Sequence, residues 1–105
     1  MGKTLTPIVY HDKVNTVPLI QFIYRKKFKK KFRSVSPVIR AATDFKLRIL
    51  CKNPYDPILN NHALQGDRQH LRTINITGDI RLVFQVVSKE VYFIVDIDNH
   101  NNLYG

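Results

Sequence analysis

The chain has little of what would suggest a secreted, membrane-bound or metal-dependent protein. It contains one cysteine in 105 residues, so an internal disulfide is excluded, and with it the class of disulfide-stapled secreted domains. No apolar run approaches the roughly 18 residues of a membrane span, and no secretory signal opens the chain. The histidines and the cysteine lack the paired spacing of a tetrahedral zinc site. These absences predict a cytoplasmic protein that uses no membrane, metal or cofactor.

Acidic residues are also few. Eight Asp and Glu stand against 17 Lys and Arg, which gives a formal net charge of +9 and an isoelectric point near 9.9. A hydrophobic content of 44% indicates a folded chain, and its length suits a single domain. A basic domain suits a polyanionic partner, because each phosphate that it neutralises releases counterions. A basic surface without any specific partner is equally compatible with this composition.

The N-terminal third predicts a strand and a basic helix. Residues 1–17 show no clean period and are assigned no function, whereas residues 18–24 are β-branched and aromatic and predict a first strand. In residues 25–33 seven of nine are basic, and Tyr24, Phe28 and Phe32 recur every four residues, which predicts a short amphipathic helix. Its lysines either form a solvated face or bind a phosphate backbone. They are Lys26, Lys27, Lys29, Lys30 and Lys31.

The remaining chain predicts a second helix and a β-meander. Ser36 and Pro37 are a helix start, and the Asn53-Pro54 pair ends the helix. Its predicted apolar positions are Val38, Ala41, Ala42, Phe45 and Ile49. Residues 54–61 predict a loop, and residues 71–76, 80–87 and 91–97 predict three strands joined by short turns. The prediction is an α+β domain over residues 18–105, in which a strand and a helical hairpin pack on a small antiparallel sheet.

Two residue types suit the cleavage of RNA. RNA is cut without metal when a base takes the proton of the 2′-hydroxyl, cations stabilise the pentavalent phosphate and an acid protonates the leaving oxygen. His62 and His100 are candidates for the proton transfers, because histidine titrates near neutral pH. Arg72 and Arg81 stand nine residues apart across a predicted hairpin. We expect them to share one face of the sheet and clamp a phosphate.

Three sequence pieces in this order resemble a known family. They are N-H-A-L-Q-G at residues 61–66, R-T-I-N-I-T-G-D at residues 72–79 and H-N-N-L-Y at residues 100–104. The pattern, from about residue 19 to residue 105, resembles the RelE/ParE superfamily of type II toxins and, within it, the YafQ-like messenger-RNA interferases. The resemblance implies a RelE-like fold and a ribosome-associated endoribonuclease that a cognate acidic antitoxin silences.

The resemblance also implies roles for individual residues. The positions associated with cleavage are His62, Asp79, Arg81, His100 and Tyr104. Arg72 matches a second arginine near the scissile phosphate, and Asn75 stands where YafQ has another histidine. Ile80 replaces a tryptophan of that pattern. Asn75 cannot exchange a proton near neutral pH, so its expected role is to contact RNA.

Structural roles and other functions stay open for these residues. Gly78 and Asp79 are a turn pair in any hairpin, Arg72 and Arg81 could be exposed strand residues, and Tyr104 could simply pack. Besides the ribonuclease, the sequence is compatible with a ParE-like toxin that binds DNA gyrase, or with a degenerate antitoxin-binding or RNA-binding module. In the toxin interpretation, the antitoxin is expected to cover the sheet face that carries both arginines.

Overall fold

The helices and strands follow the caps and turns of the sequence. The computed structural model describes residues 8–9 and 19–104. Its strands are β1 (Ile8–Val9), β2 (Gln21–Tyr24), β3 (His62–Ala63), β4 (Arg72–Asn75), β5 (Ile80–Ser88) and β6 (Val91–Asn99). Its α-helices are α1 (Lys26–Phe32), α2 (Pro37–Lys52) and α3 (His100–Tyr104), and single 3₁₀ turns occupy Pro57–Leu59 and Gly66–Arg68. Apart from β1, the segment that was assigned no function lies outside the described residues.

The predicted helical hairpin is confirmed. The hydroxyl of Ser36 accepts a hydrogen bond from the amide of Ile39 at 3.2 Å, and this cap starts α2 at Pro37. In α1 the aromatic stripe packs as predicted, with ring centroids 5.5 Å apart for Tyr24 and Phe28 and 4.9 Å apart for Phe28 and Phe32. Because Phe28 is buried, the basic residues of α1 lie on the flanks of the helix and on its solvent side.

The predicted apolar face of α2 is wrong for three residues. Val38 and Phe45 are 73% and 55% exposed, and Ala41 is exposed too. The buried stripe is instead Thr43, Leu47, Leu50 and Cys51. Thr43 can be buried because its hydroxyl donates to the carbonyl of Ile39 at 2.7 Å, so a polar residue occupies the centre of the packed face. Cys51, the cysteine of the chain, is buried in this stripe with its thiol unoxidised.

The strands form one mixed sheet in the order β1-β2-β6-β5-β4-β3. Strands β4, β5 and β6 are the predicted meander, and all neighbouring strands are antiparallel except β2 and β6, which are parallel. The α+β class is therefore confirmed. The sequence prediction missed β3, which follows the predicted loop, and α3 at the C-terminal end. No helix among residues 8–9 and 19–104 is long and apolar enough to cross a bilayer.

The sheet has two different faces. Its core face packs under α1 and α2 and contributes most of the buried residues, including Phe22, Ile74, Leu82 and Phe84. The opposite face, called here the open face, carries a smaller cluster of Leu64, Val83 and Leu103, with Leu71, Val95 and Tyr104 packed against it. Arg81 lies on the open face, because it alternates with Leu82 and shares a face with Val83.

Between the pairs Val83–Asp96 and Phe84–Ile94, strand β6 contains one extra residue relative to β5. Val83 pairs with Asp96 while the next residue, Phe84, pairs with Ile94, so Val95 has no partner of its own. Before this bulge Ile94 belongs to the core, and after it Ile97 does. The bulge therefore shifts the alternation of β6 and places Asp96 on the open face with Val83.

Candidate active site

Three hydrogen-bonded side chains lie together on the open face, at the edge of the sheet that β3 forms. The hydroxyl of Tyr104 lies 2.9 Å from Nε2 of His62 and 2.7 Å from Oγ1 of Thr73. The Tyr104 and His62 rings are stacked, with centroids 6.0 Å apart. Thr73 is fully buried, whereas Tyr104 and His62 are partly exposed. The group therefore has a fixed inner end and an outer end that a substrate can reach.

The partners of His62 fix the direction of this chain of hydrogen bonds. Its Nδ1 lies 2.8 Å from the carbonyl oxygen of Asn60, which can only accept. We therefore assign the proton of the neutral ring to Nδ1, which leaves the lone pair on Nε2. The Tyr104 hydroxyl then donates to Nε2 of His62, and the Thr73 hydroxyl donates to the oxygen of Tyr104. His62 is thus placed to accept the phenolic proton of Tyr104.

The local backbone holds His62 in position. Asn60 adopts a left-handed conformation with φ 50° and ψ 50° at the end of the Pro57–Leu59 turn, which suits asparagine better than most residues. This turn directs the Asn60 carbonyl at the His62 ring two residues later. His62 then enters β3, where it pairs with Thr73 of β4. Directly paired residues of an antiparallel sheet share a face, so both side chains reach Tyr104.

Helix α3 brings His100 and Tyr104 to the same place. The amide of His100 donates to the carbonyl of Asp79 at 2.9 Å, and the side chain of Asn99 caps the amide of Asn102 at 2.8 Å. The ring of His100 packs on Tyr104 with centroids 4.5 Å apart. His100 is exposed, and within the described part of the chain its ring nitrogens make no hydrogen bond. It can therefore exchange a proton with a bound substrate.

Arg81 and Asn75 lie opposite each other in the β4–β5 hairpin on the same face. Nη1 of Arg81 donates to the carbonyls of Thr77 and Gly78 at 3.2 Å each, which holds the guanidinium at the turn. Asp98 is the cross-strand partner of Arg81 on β6, but no carboxylate forms a salt bridge with Arg81 among the described residues. The buried Oδ1 of Asn75 has no hydrogen-bond partner there. Asp79 is exposed in the turn, where its carbonyl accepts from the first amide of α3. The turn and its arginine form a rim beside the hydrogen-bonded group, with Arg81 as its cation and Asp79 as its anion.

Lys46 of α2 adds positive charge to this rim. Its Nζ donates to the carbonyls of Asn75 and Ile76 at 2.9 and 3.3 Å. Burial lowers the pKa of Lys46, and the positive charge of Arg81 lowers it further. Sequence reasoning did not select Lys46, because a single lysine in a helix carries no signal of its contacts with a hairpin that follows about 30 residues later.

Arg72 does not lie with Arg81, and the predicted clamp is wrong. Arg72 pairs with Phe84 and therefore points to the core face, whereas Arg81 pairs with Asn75 and points to the open face. The two strands are adjacent as expected, but the register places the arginines an odd number of pairs apart, which puts them on opposite faces. Arg72 is bound by Asn61, with Nε 2.6 Å from Oδ1. One segment covering a single sheet face cannot cover both arginines, so the antitoxin contact expected from the sequence is wrong in this respect.

The five lysines of α1 fall into two groups. Lys27 and Lys31 reach the open face, where Lys27 lies 3.2 Å from Asp96 and Lys31 lies 2.9 and 2.7 Å from Asp96 and Asp98. The other three line a shallow cleft with Arg33: Lys26, Lys29 and Lys30. The first group is paired with acidic side chains, whereas the described residues that line the cleft are all basic. The cleft is thus the better candidate for a phosphate backbone.

The ion pairs change the ionisation of both partners. The hydrogen bond from Lys31 lowers the pKa of Asp98 to about 2, although burial opposes the shift and bonds from Asn102 and from the Asn99 amide assist it. Burial alone would lower the pKa of Lys31, but its hydrogen bonds to Asp98 and Asp96 outweigh that effect and raise it. Asp98 thereby joins α1 to the start of α3 through Lys31 and Asn102.

The structure brings together three of the predicted residues and places three others at or beside the neighbouring turn, whereas Arg72 and the α1 lysines lie elsewhere. His62, His100 and Tyr104 meet, whereas Arg81, Asn75 and Asp79 form the rim. Sequence reasoning missed Thr73 and Asn60. Thr73 faces His62 only because β4 pairs with β3, and β3 was not predicted. Asn60 acts through its backbone carbonyl, a group that every residue has, so its residue type gives no signal of this role. Among the described residues no three His, Cys, Asp or Glu side chains could hold a metal ion.

Known structures share this arrangement of strands and helices. YafQ from E. coli strain BL21(DE3) is 16% identical, with a TM-score of 0.64 over 82% of this chain and 99% of that chain. The toxin–antitoxin complex RelBE2 from Mycobacterium tuberculosis is 16% identical, with a TM-score of 0.63 over 80% and 100%. A copper-bound mutant toxin from Helicobacter pylori is 26% identical, with a TM-score of 0.58 over 81% and 98%. No protein-family model and no curated protein matches the chain.

These similarities extend over almost the whole length of the toxins and about four fifths of the present chain. At such low identities the likeness concerns the path of the backbone and not the individual side chains. The resemblance predicted from the three sequence pieces is confirmed at the level of the fold: this chain has the RelE/YafQ-like toxin fold.

Proposed function

We propose that this chain is the toxin of a type II toxin–antitoxin pair and that it cuts messenger RNA on the ribosome at the open face. The single observation that carries the proposal is the line of hydrogen bonds from Thr73 through Tyr104 to His62, with the exposed ring of His100 on Tyr104. It offers two proton-transfer groups at one accessible place, as cleavage by the 2′-hydroxyl requires.

The first proton transfer uses Tyr104 and His62 together. The Tyr104 oxygen takes the proton of the 2′-hydroxyl while its own proton moves to Nε2 of His62. The resulting imidazolium is stabilised by the Asn60 carbonyl, which already accepts from Nδ1. The 2′ oxygen attacks the phosphorus, the bond to the 5′ oxygen breaks, and a 2′,3′-cyclic phosphate forms.

The second proton transfer uses His100. In its protonated form the ring donates to the leaving 5′ oxygen, which becomes a hydroxyl. Arg81 stabilises the charge on the phosphate, because only its Nη1 is bound to the hairpin turn and its other donors face no protein partner among the described residues. The acid and the base are then different groups, which lets both act in one turnover.

The expected partners follow from the charge and the fold. RelBE2 is a toxin–antitoxin complex, and a chain of net charge +9 suits an acidic antitoxin. The rim and the lysine cleft suit messenger RNA and the ribosome. All three partners place the action of the protein in the cytoplasm.

Cleavage of messenger RNA in a reconstituted translation system tests the proposal. The wild-type chain should cut ribosome-bound RNA and leave 2′,3′-cyclic phosphate and 5′-hydroxyl ends, and Tyr104→Phe should lower the rate strongly. Asn101→Ala, in the same helix but exposed and outside the hydrogen-bonded group, serves as the matched control. Translation arrest without any RNA cleavage would reject the nuclease, and inhibition of DNA gyrase by the same preparation would identify the ParE-like alternative.

A further inference from the structure

A pocket on the open face, at the start of α1, is separate from the active-site residues and has no role in the reaction above. Its volume is about 420 Å³, which is within the range of small-ligand sites. The sheet supplies its floor through Gln85, Phe93 and Val95, and α1 with the residue before it supplies the rim through Arg25, Lys26 and Lys27. We infer that this pocket binds the base and phosphate of one unpaired nucleotide of the RNA substrate, an inference that rests on the proposed function.

A planar stack at the pocket favours a base. The guanidinium carbon of Arg25 lies 4.7 Å from the centroid of the Phe93 ring. Arg25 is itself exposed, so its outer surface is open to a second planar group. Unpaired bases stack on aromatic rings and on arginine planes in this way. Gln85 pairs with Phe93 across the two strands, and its amide can donate to and accept from the edge of a base.

The charge of the pocket favours a phosphate beside that base. Three cations line it, and none of the described lining residues is a carboxylate. Lys27 is 66% exposed although it contacts Asp96, so it can still reach an anion, and Lys26 is exposed as well. An acidic peptide would satisfy these charges, but its carboxylates would not use the Arg25 and Phe93 stack. A nucleotide uses the charges, the stack and the Gln85 amide.

The pocket adjoins the candidate active site. Leu71 and Val95 line the pocket and also pack against the small cluster on the open face, against which Tyr104 packs too. Gln85 follows Val83 by two residues on the same strand, a rise of about 7 Å. An RNA strand whose cleaved bond lies at Tyr104 would cross Leu71 and Val95, and a neighbouring nucleotide would then lie at the pocket. The pocket would thus select a base next to the cleaved bond.

The experiment measures the affinity of the full chain for an eight-nucleotide RNA that is 2′-O-methylated throughout and therefore cannot be cut by its own 2′ oxygen. Single abasic positions are introduced along this RNA, and binding is followed by fluorescence anisotropy. For the wild-type chain we expect one abasic position to lower the affinity about tenfold or more, because a stacked base contributes that much. Arg25→Ala and Phe93→Leu should weaken binding similarly and remove that position dependence. Lys52→Ala, an exposed cation of α2, is the charge-matched control for Arg25→Ala.

The outcomes separate this inference from the proposed function. Folded pocket variants that bind and discriminate like the wild type would overturn the inference, while cleavage by the wild type would leave the nuclease in place. Pocket-dependent binding by a chain that cuts no RNA would support the inference and reject the nuclease. If the wild-type chain does not bind the RNA but binds a polyglutamate peptide, and Arg25→Ala weakens that binding, the inference is overturned in favour of a protein ligand. Thermal unfolding of each variant shows that the fold is intact.

Discussion

The Tyr104 hydroxyl and Nε2 of His62 lie 2.9 Å apart although the two residues are 42 positions apart in the chain. The Asn60 carbonyl on the far side of the His62 ring sets the tautomer that accepts this bond. In the proposed reaction His62 therefore acts on the substrate through Tyr104, because both of its own ring nitrogens are already hydrogen-bonded. Tyr104 would thus transfer a proton in addition to packing at the end of the chain, the structural role left open by the sequence.

Removing the phenolic hydroxyl should stop most of the reaction. We expect Tyr104→Phe to lower the single-turnover cleavage rate by about 10²–10⁴-fold, the usual value of a positioned proton-transfer group. The phenylalanine ring preserves the packing on His62 and His100. Cleavage at the wild-type rate by a folded Tyr104→Phe protein would show that the hydroxyl takes no part.

Double substitutions should distinguish the two proton-transfer routes. In the proposed reaction Tyr104 and His62 act in one relay, so His62→Ala should add little to the loss already caused by Tyr104→Phe. The proposal gives the other transfer to His100, so His100→Ala combined with His62→Ala should lower the rate more than either substitution alone. The measurement is a double-mutant cycle on cleavage rates. If the losses of activation free energy add equally in the Tyr104–His62 pair and in the His100–His62 pair, the relay is contradicted.

Thr73 should act as a positioning residue. Thr73→Val keeps the shape but removes the donor to Tyr104, so we expect a loss of about 1 kcal/mol in the free energy of unfolding and slower cleavage. Thr73→Ser restores a hydroxyl and should recover the cleavage rate. Urea unfolding and single-turnover cleavage are measured together. A valine variant that cuts at the wild-type rate would leave Thr73 with a packing role alone.

The ion pairs of Asp98 predict a pH-dependent stability. Its pKa falls from 3.8 to about 2 on folding, so Asp98 stabilises the fold above pH 4, and this contribution is lost as the pH falls from about 4 to 2. Since the side chain is 23% exposed, we discount the shift for screening and expect Asp98→Asn to cost about 1 kcal/mol at pH 7. Urea unfolding at a pH of about 7, 4 and 2.5 should show the difference from wild type shrinking. A difference that is constant with pH would refute the assignment.

The two groups of α1 lysines should differ in their effect on RNA binding. Glutamine at Lys26, Lys29 and Lys30 should flatten the salt dependence of RNA affinity, because about one counterion is released per phosphate contact. Glutamine at Lys31, which lines neither the cleft nor the pocket, should chiefly lower stability, because Asp96 and Asp98 then lose a cationic partner. Affinity is measured over a series of salt concentrations. Equal salt slopes for both variants would show that the cleft binds no phosphate.

Sequence patterns predicted the parts of the fold that depend on local chemistry. The Ser36 cap, the aromatic stripe of Phe28 and Phe32, and the strand at residues 80–87 follow from adjacent residues, and the structure confirms each. The two-residue strand β3 was missed, because so short a strand is stabilised by its partner β4 and not by its own residues. Helix α3 was missed for a similar reason, since the partner of its first amide is Asp79 in a distant turn.

The residue types of the candidate site were predicted, but its geometry was not. His62, His100 and Tyr104 converge, whereas Arg72 lies on the other face, because the register of a hairpin and not the proximity of its strands decides which side chains meet. The direction of the hydrogen bonds depends on the backbone of Asn60, which no side-chain pattern reports. Long-range contacts of this kind are set by the packed fold.

The bulge at Val95 determines whether β6 tolerates the loss or the gain of one residue. In a regular strand of the same sequence, the alternation that buries Tyr92 and Ile94 would continue and carry Asp96 and Asp98 into the apolar core. Two carboxylates buried there without a cation would cost several kcal/mol each. Losing one residue at the bulge would leave a regular strand with both carboxylates still on the open face, whereas gaining one in the regular part of β6 would reverse the phase. Natural variants of this chain should therefore shorten β6 at this point more readily than they lengthen it.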